Sequence, residues 1–187
     1  MDEYIINAYN EFKQKRSDLE RKEKTVHSLN NIIGKHIRGS LHMIGSSATG
    51  LATADSDLDI MFRLKDKSFN LSKQQTVQIL TNIRALLRAS GHCSHVLLFH
   101  RARCPIIRFQ FLKTRMKCDL SLHSPVSLLN TCLMSSYCEM DPRVIPFVMF
   151  AKHWAKTNDI VDPTKSTLSS YAVELMAISY LQCKSFC

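Results

Sequence analysis

Three aspartates within five residues, Asp55-Ser56-Asp57-Leu58-Asp59, form the stretch of this sequence best suited to chemistry. Side chains alternate along a strand, so Asp57 and Asp59 leave one face while Leu58 and Ile60 leave the other. Two carboxylates about 7 Å apart on one face repel each other unless a cation lies between them. Oxygen-ligating divalent ions suit such a pair. Two of them serve phosphoryl transfer, one at the attacking hydroxyl and one at the leaving pyrophosphate. A two-ion site needs a third carboxylate from a neighbouring strand, and Lys117-Cys118-Asp119-Leu120-Ser121-Leu122 offers Asp119. Two plainer readings compete. A solvated strand edge would account for any lone aspartate. A calcium loop would place Asp55, Asp57, Asp59 and Asp66 at its first, third, fifth and twelfth positions, but Ile60 stands where glycine is required and Met61-Phe62 is apolar.

Gly45-Ser46 follows a short apolar segment and precedes small residues, a setting where backbone N–H groups and a hydroxyl can cup a phosphate. No Gly-Lys-Ser/Thr follows, so this is not a Walker loop. Lys152 and Lys156 are four apart and share a helix face, where two ammonium groups could grip phosphates; an exposed basic face is the plain alternative. Trp154 is expected in the core. His92, Cys93, His95, His100 and Cys104 match no zinc spacing, and strand alternation scatters them.

The elements that must hold these residues follow from periodicity. Residues 2–38 read as helix, with Ile5, Ala8, Phe12, Leu19, Val26, Leu29, Ile33 and Ile37 at helical spacing and the polar run Lys13 to Lys24 as a solvated face. Gly39-Ser40 closes that stretch, and a short apolar segment spans Leu41 to Ile44. Strands are expected at 58–64, 95–99, 106–112 and 116–122. A helix is expected over 72–90, ended by Gly91. Beyond Pro125 only helices are expected: one starting at Asp141-Pro142 and bent at Pro146, the last near Ser169-Ser170. The class is α+β, with an α/β unit over 41–124 flanked by a helical segment at 1–40 and helices over 125–187.

The 187 residues, 45% hydrophobic and 22% charged, describe an ordinary globular chain. No run of eighteen apolar residues suggests a membrane span, and the first ten residues lack a secretory layout. Seven cysteines without a Cys-x-x-Cys pair fit reduced thiols in the cytoplasm or nucleus. A formal charge of +9 favours a polyanionic partner such as nucleic acid.

Gly45-Ser46, a spacer and Ser56-Asp57-Leu58-Asp59-Ile60 together resemble the polymerase-β-like nucleotidyltransferases, in particular the noncanonical poly(A) polymerases and terminal uridylyltransferases. The likeness continues, in order, through Arg103-Cys104-Pro105-Ile106-Ile107-Arg108-Phe109 and Cys118-Asp119-Leu120-Ser121. It then takes in Leu129-Asn130-Thr131, Asp141-Pro142-Arg143-Val144, Lys152-His153-Trp154-Ala155-Lys156 and Leu168-Ser169-Ser170-Tyr171. It implies a palm followed by a helical domain, on which the N-terminal segment packs. It implies template-independent addition of AMP or UMP, from ATP or UTP, to RNA 3′ ends.

By matching motifs, Asp57, Asp59 and Asp119 would hold two magnesium or manganese ions, and Asp119 would help activate the RNA 3′-hydroxyl. Gly45 and Ser46 form the phosphate turn. Ser46, Ser170, Lys152 and Lys156 would touch the triphosphate, Asn130 and Thr131 the sugar, and Tyr171 the base. Tyr171 reads equally as a core aromatic beside a capped helix start. An RNA-binding protein partner is a further expectation. His123-Ser124 replaces the asparagines that often follow the third aspartate. Catalytic modules of this group run beyond the Ser-Ser-Tyr helix. The chain is therefore expected to lack base selectivity and to expose an apolar patch around Val173, Leu175, Met176, Ile178 and Leu181. The alternative is a non-catalytic remnant that binds RNA or nucleotide.

Overall fold

Apolar side chains at alternate strand positions give the sheet one dry face. The computed structural model describes residues 2–65, 71–161 and 167–185, so Asp66 lies outside the described residues. Five strands, β1 (Gly39–Met43), β2 (Leu58–Leu64), β3 (Cys93–Phe99), β4 (Ile106–Phe111) and β5 (Met116–Leu122), stand in the order β1-β2-β5-β4-β3. The β2–β5 pair is parallel; β1–β2, β4–β5 and β3–β4 are antiparallel. Leu58, Ile60, Phe62, Ile107, Phe109, Phe111, Cys118, Leu120 and Leu122 share the dry face. Two helices cover it: α2 (Arg16–Gly34) through Leu29 and Ile33, and α4 (Lys73–Ala89) through Leu80, Ile83 and Leu87. Ser72 caps α4 in a reciprocal pair with Gln75, which fixes where that helix starts.

The chain divides into two compact units. The sheet unit comprises Lys15–Ala48 and Ser56–Thr131; the helical unit comprises Met1–Gln14, Thr49–Asp55 and Cys132–Cys187. The helical unit's core joins Leu51, Met134, Val144, Val148, Met149, Ala177 and Ile178. These come from α5 (Pro125–Met140), α6 (Val144–Thr157), α7 (Ser170–Ser185) and the 49–55 segment. Against this core pack Tyr9 and Phe12 of α1 (Glu3–Phe12), and the Phe12 ring stacks on His153 with centroids 4.6 Å apart.

Several expectations change. The single helix over 2–38 is two, because Lys13 and Gln14 leave helical geometry to pair with another backbone. Gln14 N–H donates to Ala52 C=O and Ala54 N–H to Phe12 C=O. The N-terminal segment, expected to pack as a whole on the helical domain, is thereby divided: α1 lies in the helical unit, α2 on the sheet. Gly39-Ser40 opens β1 instead of closing a helix. Ser46–Thr49 forms a short helix, α3, where a loop was expected. Asp141-Pro142 precedes a helix that begins at Val144, with the Asp141 carboxylate accepting from Arg143 N–H at 2.8 Å. Pro146 falls in the first turn of α6, where no intrahelical partner for its nitrogen is needed. Trp154, expected in the core, is 54% exposed, since α6 turns Val148, Met149 and Ala155 inward instead. On α7, Val173 and Ile178 are buried, whereas Met176 and Tyr180 are exposed. Among the described residues, no helix is long and apolar enough to cross a membrane.

Candidate active site

The face of the sheet opposite the dry one carries the acidic residues. In the parallel β2–β5 pair Asp59 stands opposite Asp119, and in β4–β5 Asp119 stands opposite Arg108. Directly opposed residues share a face, so one row crosses the sheet from Asp59 through Asp119 and Arg108 to Leu97 on β3. Asp57, two residues before Asp59 and just ahead of β2, is exposed.

The Arg108 guanidinium takes both oxygens of Asp119, Nε at 2.8 Å and Nη2 at 2.7 Å. The guanidinium's own affinity for its proton rises, chiefly through that bond and further through Asp57 and Asp59. The same guanidinium lies 5.6 Å from the Phe99 ring centre. Among the described residues, no group of three His, Cys, Asp or Glu side chains is gathered to hold a metal ion as it stands. The aspartate set nonetheless fits a hard cation: its donors are all carboxylate oxygens, and a cationic side chain already sits on one of them.

Gly45 turns the chain from β1 into α3 with φ of +62°, a left-handed conformation. A Cβ there would lie 2.9 Å from Asp59 Oδ2, so the turn abuts the acidic strand. Gly45 N–H donates to Thr131 Oγ at 2.9 Å, and that hydroxyl donates to Ser127 C=O at 2.7 Å. Thr131, which family likeness assigns to the sugar, therefore braces the Gly45-Ser46 turn in this structure. Ser46 and Asn130 are both half-buried.

Lys152, Lys156, Ser170 and Tyr171 belong to the helical unit. The Lys152 ammonium is mostly buried, paired with Glu174 at 2.6 Å and donating to Leu51 C=O at 2.9 Å. Lys156 is exposed and reaches Asp55 at 2.8 Å. Each lysine thus has a carboxylate against it. Ser170 is exposed at the first position of α7, and Tyr171 is half-buried against the helical core.

Three residues escaped sequence reasoning. Lys22, assigned to a solvated face, is fully buried. Its spacing with Leu19, Val26 and Leu29 was the signal, since all four share a helix face. Arg108 lies within a quoted motif and alternates with buried Ile107 and Phe109, but only strand register puts it on Asp119. His123 is buried, with Nε2 2.8 Å from Leu64 N, and burial lowers its pKa.

A family model described as poly(A) RNA polymerase, mitochondrial-like, central palm domain matches residues 1–139. The chain belongs to this family. Poly(A) RNA polymerase GLD2-A of Xenopus laevis is 31% identical over 183 residues, covering 97% of this chain and 36% of that protein. Human terminal uridylyltransferase 7 is 30% identical over 185 residues, covering 97% of this chain and 12% of that protein. The GLD-2 structure solved with GLD-3 aligns at a TM-score of 0.88 and 31% identity, over 98% of this chain and 60% of that one. The Cid1 poly(U) polymerase aligns at 0.78 and 28%, over 92% and 51%. The chain spans 36% to 39% of the length of the curated GLD2 relatives it matches. The relatives of this palm are RNA nucleotidyltransferases, and the fold is the polymerase-β-like α+β palm with helices after it.

Proposed function

We propose that this chain carries the catalytic part of a template-independent RNA terminal nucleotidyltransferase, which adds AMP or UMP from ATP or UTP to RNA 3′ ends. The observation that carries the reading is the register of β2 on β5, which sets Asp59 beside Asp119 next to the Gly45-Ser46 turn. In the reaction the RNA 3′-oxygen bonds to the α-phosphorus. The bond from that phosphorus to the bridging oxygen breaks, and pyrophosphate leaves with its electron pair. Asp57, Asp59 and Asp119 would hold two magnesium or manganese ions, which lower the charge on the attacking and leaving oxygens. Asp119 lies toward the incoming hydroxyl and takes part in removing its proton, for which Arg108, 54% exposed, has room to swing off the carboxylate. Gly45 and Ser46 receive phosphate oxygens. By the family likeness Lys156 and Ser170, both exposed, would touch the triphosphate, Asn130 the sugar and Tyr171 the base.

The solved relative GLD-2 is found in complex with GLD-3 and with RNP-8. By analogy this chain takes an RNA-binding protein partner, in the cytoplasm or nucleus. A second reading, a nucleotide- or RNA-binding remnant, rests on the occupied state of the site: Arg108 holds Asp119, and Glu174 and Asp55 hold the two lysines.

Extension of a labelled RNA with each of the four nucleotides separates the readings. Asp57→Ala, Asp59→Ala and Asp119→Ala are each expected to reduce addition to background while circular dichroism stays unchanged. Robust extension by the Asp57→Ala protein would sink the catalytic reading.

A further inference from the structure

Lys22 is a fully buried lysine on α2, the helix whose Leu29 and Ile33 enter the apolar core of the sheet unit. Burying an ammonium group is costly, and a methionine of similar length would fill the same slot without that cost. The charge therefore points to what it holds. Lys22 Nζ donates to Ser47 Oγ at 2.8 Å, a bond spanning 25 residues. Ser47 is itself buried and directly follows Gly45-Ser46. Of the charges around it Lys22 feels Asp59 most strongly, with Asp18 and Asp57 acting in the same direction. They oppose the lowering of its pKa by burial.

The same turn has two further anchors. Gly45 N–H is held by Thr131, and Ile44 N–H donates to Asp59 C=O at 3.1 Å. Both sit at or before the glycine. The bond from Lys22 reaches past it, into α3.

We propose that Lys22 is a positioning residue for triphosphate binding: from the buried side of α2 its ammonium holds Ser47, and so fixes the Gly45–Ala48 backbone beside the Asp57–Asp59 strand. The role in binding rests on the reading of Gly45 and Ser46 as the phosphate turn. In this role Lys22 acts through Ser47.

The test uses the whole chain with Lys22→Met, which keeps the side-chain length and removes the charge. Amide exchange at Ser46–Ala48 should accelerate about tenfold, the size of one lost charge-assisted hydrogen bond, while the amides of β4 and β5 exchange as before. The dissociation constants of ATP and UTP, by calorimetric titration, should rise by a similar factor. Manganese affinity, read by electron paramagnetic resonance, should not fall, because Asp59 and Asp119 stay on their strands and a positive charge that acts on Asp59 and Asp57 is removed. Ser47→Ala should loosen the same amides, and adding it to Lys22→Met should change nothing more. Wild-type exchange at Ser46–Ala48 in a folded Lys22→Met protein overturns the proposal. Unchanged nucleotide affinity with a loosened turn overturns it equally. If Lys22→Met does not fold, Ser47→Ala decides by the same two measurements. If the wild-type chain binds neither nucleotide, the functional reading fails. The exchange result still decides whether Lys22 sets the turn.

Discussion

Lys152 and Lys156 share a helix face, yet the structure gives them different work. Lys152 faces Glu174 where both side chains are nearly buried, so Lys152→Met leaves a carboxylate in the helical core without its cation. That loss is expected to cost about 3–5 kcal/mol, read as a lowered urea midpoint. Lys156 and Asp55 are both largely exposed, so Lys156→Met should change stability by less than about 1 kcal/mol. Its signature lies in titration. The Lys156 bond, helped by Thr53, holds the Asp55 carboxyl down at about 2, below its ordinary 3.8. A carboxyl lowered by folding adds stability above its unfolded pKa, and that small stability is lost as pH falls from near 3.8 toward 2. In Lys156→Met the Asp55 midpoint should climb toward 3.8 by NMR titration; a midpoint still near 2 would assign the shift to Thr53. Sequence showed the three site aspartates because residue type and alternation agree there. It hid Lys22 because charge argued for solvent while spacing argued for core, and spacing was right. For Trp154 the error ran the other way: an aromatic suggests burial, but neighbouring positions fill the core.

The strands and α4 were legible to within two residues, since alternation and the Ser72 cap are local signals. The break between α1 and α2 was not, because Lys13-Gln14-Lys15 contains no glycine or proline and is extended only to meet residues 52–54. Sheet order was equally hidden: nothing local says that β5 inserts between β2 and β4. The turn from β1 to α3 combines both kinds of information. Its glycine is visible in sequence, and its reason is a positive φ together with the Asp59 carboxylate against the missing side chain. Gly45→Ala must therefore strain the backbone, by about 1–2 kcal/mol for the left-handed conformation, and push Asp59 away. The expected result is a folded protein, slightly less stable by thermal melt, with RNA extension cut far more than that loss explains. Extension at the wild-type rate would show that the site tolerates a displaced Asp59.

Among the described residues, large apolar side chains that reach solvent are more numerous in the helical unit than in the sheet unit. Trp154, Leu168, Met176 and Tyr180 are all exposed around one shallow cavity, and the Tyr180 ring stacks on Phe147 with centroids 5.6 Å apart. An apolar patch rimmed by polar residues favours self-association. Scattering mass is expected to rise with protein concentration, and Trp154→Asp with Met176→Lys to suppress the rise; a concentration-independent monomer would remove the patch from consideration. The sheet has a different consequence. Asp59 and Asp119 come from strands separated in sequence by two other strands and a helix, and they meet only because β5 lies parallel to β2 in one alignment. Sliding β5 by a single residue would turn Asp119 into the apolar layer and bring a hydrophobic side chain out in its place. On the proposed function, a chain with β5 slipped by one residue would be silent rather than slow, because Asp59 would stand without Asp119 beside it. The pairing of two strands would then act as a switch that is set once, at folding.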